Sequence, residues 1–388
     1  MAAASATLSP HFPQAFLPPQ PPRNDYSFPD WTLGQTRLEF GPPGPALPTI
    51  SFTMSSAACP VRLQWPGKTA PGRRPYATLE LVRRSHPSCM LVQGDNLHAL
   101  SALAHRAKQS VALAYLDPPF LTGRQHSRVQ RSRKGSTGEI VRQLRPAFDD
   151  RWNGLDEYLT ALRDRVAAVR KLLLPEGCLV VHVDPKTSHY VKIVCDEVFG
   201  QDCFASEIIW RYRRWPSKTR NFQRVHDVLL RYVRDPEARP RFRQLYEPLS
   251  DSTRATWGDR KQRAVVDARG RRRRSSKTAD ATPGTPLGDV WEIPIVAPVA
   301  RERTGYPTQK PEALLSRLVE ACTDPGDLVL DPYAGSGTTL AVCVQLGRRV
   351  VGIDDSRESL VITRRRLREL GIRPLEERVY VAPQALAG

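Results

Sequence analysis

No two of the seven cysteines form a CxxC pair, and none stands at a metal-ligand spacing. Cys59, Cys89, Cys178, Cys195, Cys203, Cys322 and Cys343 are scattered along the chain. That scatter argues against a structural zinc site and reads as reduced thiols in a cytoplasmic protein. Long apolar runs are missing too: no window approaches roughly eighteen apolar residues, so no membrane span is expected. The opening MAAASATLSPHFPQAFLPPQPP lacks the basic-then-apolar order of a signal peptide. Acid is in short supply: 40 Asp and Glu face 58 Lys and Arg, a net charge of +18. Residues 121–145 hold seven Arg/Lys against one Glu, and residues 205–280 hold 21 against nine, so these two segments carry the whole excess. Basicity concentrated in this way argues for a surface that meets a polyanion, with a solvated basic face as the plainer alternative.

What is present, from residue 61 onward, is strand alternating with helix. Residues 1–60 hold 12 of the 35 prolines and read as a disordered Pro-rich extension. SVALAYL (110–116) and GCLVVHVD (177–184) are continuous apolar runs, the signature of strands buried on both faces of a parallel sheet. GLDEYLTALRDRVAAVRKLLL (154–174) spaces its apolar residues as an amphipathic helix that stops before Pro175. SHYVKIVCDEVFG (188–200) is a helix closed by Gly200, and EIIWRY and HDVLLRYVR read as two strands around a basic turn. Residues 235–290 are polar, Arg-rich and without period. The expected fold is a doubly wound, Rossmann-like α/β sheet. Ligands of such sheets sit beyond the carboxyl ends of the strands, where Asp95, Asp117, Asp184, Asp331 and Asp354 all fall.

Two stretches carry chemistry. In DLVLDPYAGSGTTLAVCVQLGRRVVGIDD (327–355), Asp331 ends a strand, Gly335-Ser336-Gly337 turn, and Thr338 opens a helix. Glycines there let a ligand approach the backbone at a helix N-terminus. Asp354, at the tip of the next strand, stands where a carboxylate grips ribose hydroxyls. Taken alone, Gly-Ser-Gly is equally a plain turn. Thr338 and Thr339 replace the third glycine of a dinucleotide fingerprint, which disfavours a nicotinamide-dependent oxidoreductase. In VALAYLDPPFLTG (111–123), the proline after Asp117 forces it into extended backbone at a strand end. The Asp117 carboxylate and the Pro118 carbonyl make a stiff pair of acceptors suited to a planar amino group. Pro119 stiffens the turn, and Phe120 offers a stacking face. A strand-terminating turn with an incidental aromatic is the alternative.

DPPF after a buried strand, with DPYAGSGTT far downstream, resembles the amino-methyltransferases of DNA that use S-adenosylmethionine. QGDNLHAL, EIIWRYRR with VHDVLLRYVR, and TGYPTQKPE extend the resemblance over about residues 61–365. The motif order is similar to the circularly permuted β group, with the modification subunits of type III restriction systems nearest in pattern. The resemblance implies a methyl transfer to the N6 amine of a flipped adenine in double-stranded DNA. Cytosine N4 is the alternative, disfavoured because those enzymes commonly carry Ser where this chain has Asp117. By resemblance, Asp117, Pro118, Pro119 and Phe120 form the target-base site. Asp331, Gly335, Ser336, Gly337 and Thr338 hold the methionine portion of the cofactor, and Thr308 and Lys310 close over it. Asp354 holds the ribose, with a swap of roles with Asp355 left open, and Asp95 and Asn96 lie near the adenine edge. No metal is implied. Residues 61–234 are expected to form the catalytic part, 235–290 a basic target-recognition insertion, and 291–388 the cofactor-binding part. A cognate restriction endonuclease and a second copy of the chain are the candidate protein partners.

Overall fold

The computed structural model describes residues 63–65, 68 and 77–381, apart from 84–85, 107–108, 135–138, 217, 219, 262–263 and 275–280. The expectation for residues 1–60 therefore lies outside the described residues, as does part of the RRRRSSK run (271–277). Among the described residues, sixteen strands and seven α-helices follow in chain order. The first half holds β1 (Ala77–Arg83), β2 (His86–Gln93), α1 (Asn96–Arg106), β3 (Val111–Leu116), β4 (Arg124–Lys134), β5 (Glu139–Asp150), α2 (Leu155–Leu172), β6 (Leu173–Val183) and α3 (Ser188–Phe199). Then come β7 (Phe204–Arg211), β8 (His226–Val233), β9 (Tyr246–Glu247), α4 (Asp251–Trp257), β10 (Ala264–Val266), β11 (Arg272–Arg274), β12 (Thr285–Pro286) and β13 (Val290–Glu292). The chain closes with α5 (Glu312–Cys322), β14 (Leu328–Asp331), α6 (Thr338–Gln345), β15 (Arg349–Asp354), α7 (Arg357–Glu369) and β16 (Pro374–Val381).

Ten strands form one sheet in the order β1-β16-β2-β15-β14-β3-β6-β8-β7-β13. From β16 to β6 every neighbouring pair is parallel, while β8 runs antiparallel to both β6 and β7. The central parallel strands are apolar because both faces are covered: β3 is buried at every residue, as is β6 from Gly177 onward. Helices α1, α2 and α3 pack on one another, and α5, α6 and α7 likewise. In α2 the periodic residues Leu159, Leu162, Val166 and Val169 are buried, each contributing about 1.5–3 kcal/mol of transfer free energy. The helix ends where Leu173 turns extended to begin β6, ahead of Pro175, whose ring a continuing helix would not accept. The doubly wound α/β expectation holds.

Two segments differ from the sequence reading. The basic stretch after the Asp117 motif, which showed only its charge in the sequence, forms a long antiparallel hairpin of β4 and β5. RQHSRVQRSRK is polar at nearly every position, so no apolar alternation marked it as a strand. Residues 235–290, expected without regular structure, hold α4 and four short strands paired locally as β9 with β12 and β10 with β11.

Candidate active site

The sheet reverses its winding between β14 and β3, because the chain leads from β14 to β15 on one side and from β3 to β6 on the other. A crevice opens at such a point beyond the strand ends. Here it is a cavity of about 570 Å³. Thirteen of the fourteen sequence-predicted residues line it, from Asp95 and Asn96 past Asp117, Pro118, Pro119, Phe120, Thr308 and Lys310 to Asp331, Gly335, Ser336, Thr338 and Asp354. Gly337 is the one set back. It caps α6 at φ 73°, and a Cβ there would lie 2.7 Å from Thr363 Oγ1.

Asp117 leaves β3 with its carboxylate held by one cation. Lys310 Nζ donates to both oxygens, at 2.7 and 2.6 Å, and lies 5.0 Å from the centre of the Phe120 ring. Sequence had grouped Lys310 with the segment over the cofactor, and tertiary structure brings it onto Asp117. The segment is anchored at its far end, where the Lys310 carbonyl accepts from Thr338 Oγ1 at 3.2 Å. Just before it, Thr308 sits at φ 62°, a left-handed conformation that a β-branched residue adopts only under strain. On the other side of Asp117, Asp150 accepts from the backbone N–H groups of Leu121 and Thr122, each at 2.9 Å. Those bonds fix the turn, in which Leu121 takes φ 55°. Asp150 was missed by sequence reasoning, since FDDRW carries no distinguishing pattern.

Behind Phe120 lies a buried polar chain. The Phe120 ring packs on His182, 5.7 Å between centres. His182 Nδ1 pairs with Tyr115 Oη at 2.7 Å, and Nε2 lies 3.3 Å from Asp227. Tyr212 Oη donates to the same carboxylate at 3.0 Å. Burial alone would push Asp227 up, yet the hydrogen bond and charge of His182, with Lys310 and Tyr212, hold it below its ordinary value.

The opposite wall is acidic and short of donors. Burial pushes Asp331 up to about 7, although Thr339 and the Tyr333 N–H, at 2.9 Å, pull the other way. Burial likewise raises Asp354 to about 6 against hydrogen bonds from Ser356 N–H at 2.9 Å and Gly335 N–H at 2.8 Å. Carboxylates poised like this ionise more readily once a ligand brings hydroxyls or an ammonium. The Tyr306 ring lies 3.5 Å from where a Cβ on Gly335 would stand, so Gly335, at φ 52°, leaves its backbone open beside an aromatic wall. Tyr306, Tyr333 and Arg165 also line the cavity. Arg165 was not singled out from sequence, yet its Nη2 binds Asp95 at 3.1 Å and its Nε donates to Asn96 Oδ1. Asn96 Nδ2 donates in turn to the Pro332 carbonyl at 2.9 Å, so its amide ties α1 to the loop after β14. Asp355 lines the cavity beside Asp354, but only Asp354 accepts from Gly335. Asp184 ends β6 outside the cavity and pairs with Arg224.

A switch-point crevice with an acceptor pair on one strand and a glycine turn with a distal acid on two others defines a nucleoside-cofactor enzyme of the α/β class. A family model described as DNA methylase matches residues 111–365, and the chain belongs to that family. It is 28% identical to the type II methyltransferase M.HpaI of Haemophilus parainfluenzae over 298 residues, 75% of this chain and 79% of that protein. It is 27% identical to the DNA adenine methyltransferase YhdJ of Escherichia coli K12 over 295 residues, 74% of this chain and 85% of that one. Among solved structures, the M1.HpyAVI–SAM complex is similar at 19% identity with a TM-score of 0.43, covering 72% of this chain and 98% of that one. The methyl donor is S-adenosylmethionine, and the buried acids, open glycine backbone and aromatic wall fit it.

Proposed function

We propose that the protein methylates the exocyclic N6 amine of adenine at a specific sequence in double-stranded DNA. The carrying observation is that Asp117, with Phe120 beside it, faces the same cavity as Asp331 and Asp354. S-adenosylmethionine supplies an electrophilic methyl group when bound. Asp354 would hold its ribose hydroxyls, and Asp331 with the backbone of Gly335 and Ser336 would hold its methionine portion.

The adenine amine is a poor nucleophile because its lone pair is delocalised into the ring. Its two hydrogens would donate to Asp117 and to the Pro118 carbonyl, drawing the nitrogen toward tetrahedral geometry and localising that pair. Lys310 fixes the position of the Asp117 carboxylate through its two bonds and yields part of them as the amine arrives. Fixed positions for amine and donor supply much of the remaining acceleration. Within a duplex the amine is out of reach, so the base flips out and rests on Phe120.

Asp117 and a relative named as an adenine methyltransferase support N6 over cytosine N4. The position of the Asp117 strand ahead of the Gly335 loop in the chain supports the permuted β group. On that reading residues 61–234 and 291–388 form the methyltransferase domain and 235–290 the target-recognition insertion. A partner endonuclease, a type III-like setting, a homodimer and a cytoplasmic site of action belong to the same reading. Incubation with unmethylated DNA and S-adenosylmethionine, followed by mass spectrometry of nucleosides, tests it. N6-methyladenine is expected, N4-methylcytosine would overturn the base assignment, and Asp117→Ala should abolish transfer while leaving cofactor affinity nearly unchanged.

A further inference from the structure

The connection between β7 and β8, residues 212–225, leaves the sheet at the edge that bears the catalytic motif. Val228 of β8 pairs with Val183 of β6, and Val181 of β6 pairs with Leu116 of β3, one residue before Asp117. Its root is tied to the site as well, because Tyr212 meets Asp227, and Asp227 meets the His182 on which Phe120 packs.

The connection contains five Arg or Lys and no acid. It also exposes two aromatic rings, Trp215 at 92% and Phe222 at 98%, where no other described aromatic side chain exceeds 57%. The residues flanking the rings make bonds of their own. Gln223 Nε2 donates to the Trp215 carbonyl at 2.9 Å, Asn221 Oδ1 accepts from the Phe222 N–H at 2.8 Å, and Arg224 is paired with Asp184. Large apolar rings fully in water, held among cations beside a base-modifying site, match a partner that is polyanionic outside and offers aromatic faces once opened.

We propose that Trp215, with Phe222 on the same connection, enters the DNA duplex where the target base leaves and stacks on the bases left exposed. The connection's cations other than Arg224, which is paired with Asp184, meet the flanking phosphates. This assignment rests on the base-flipping reading above and adds the element that holds the gap open. Side chains of this kind are known to wedge into base steps and to offset part of the unstacking cost.

The test uses the full-length protein and a duplex carrying its mapped methylation site, with the target adenine either paired or placed opposite a mismatch that has already loosened it. On the paired duplex Trp215→Ala should lower the single-turnover methylation rate at least tenfold, and Trp215→Phe should restore most of it. On the mismatched duplex the same Ala variant should fall less than threefold. A 2-aminopurine at the target position should brighten on binding wild type and brighten far less with Trp215→Ala. Because the side chain is exposed, thermal unfolding and S-adenosylmethionine affinity should match wild type. Equal losses on both duplexes, or no loss on either, would overturn the wedge. Failure of wild type to methylate any adenine would instead remove the underlying reading.

Discussion

Asp331→Asn should change sign in its effect on the protein's fortunes: weaker binding of the cofactor, firmer folding at alkaline pH. The carboxyl is 2% exposed, and burial raises its pKa from 3.8 to about 7. Unfolded, it ionises near its ordinary value, so folding must hold a proton or bury a charge. A raised folded-state value contributes stability that is intact below pH 4 and is lost as pH climbs to 7. At about 1.4 kcal/mol per unit, the full loss is about 4 kcal/mol, of which about 3 kcal/mol falls between pH 5 and pH 8. Asparagine does not titrate, keeps an acceptor for the Tyr333 N–H and offers donors toward Thr339. Urea unfolding of the ligand-free protein at the two pH values gives the difference directly. The variant should gain about 3 kcal/mol on wild type between pH 5 and pH 8. A variant-minus-wild-type difference that is the same at both pH values would show that Asp331 does not resist ionisation, and the account of the acidic wall would fail.

Asp354, raised to about 6, and Asp331, raised to about 7, both face the cofactor and bind its hydroxyls and ammonium better when ionised, so S-adenosylmethionine affinity by calorimetry should be at least about tenfold weaker at pH 5 than at pH 7.5. A flat profile would contradict the assignment of both to the cofactor. Lys310→Met removes charge-assisted bonds worth about 1.5–3 kcal/mol, so single-turnover transfer should slow about 10–100-fold with cofactor affinity little changed. If affinity falls instead, Lys310 serves the cofactor, as its place in the sequence suggested. Gly337→Ala should lower stability by about 1–3 kcal/mol in a thermal melt, because φ is 73° and the new Cβ meets Thr363 at 2.7 Å.

How much of this was legible in advance depended on what carries the signal. The apolar runs of β3 and β6 and the spacing of α2 follow from local burial and need no partner to be read. The turn residues at Asp117-Pro118-Pro119-Phe120 and Gly335-Ser336-Gly337 are equally local, because proline and glycine restrict or free the backbone wherever they stand. The β4–β5 hairpin was hidden, since a polar strand has no apolar alternation and is defined by its pairing alone. The hold of Lys310 on Asp117 was hidden for a related reason: 193 residues separate them, and only the neighbouring positions of β14 and β3 in the sheet bring their segments together. Asp150, Arg165 and the His182–Asp227 pair are ordinary polar residues until the fold buries them against the site. The sequence determined which side chains could do the chemistry and that strand ends would present them. Tertiary structure alone decided which charges face one another, because Coulomb and desolvation energies depend on distance and burial, neither of which adjacency in the chain supplies.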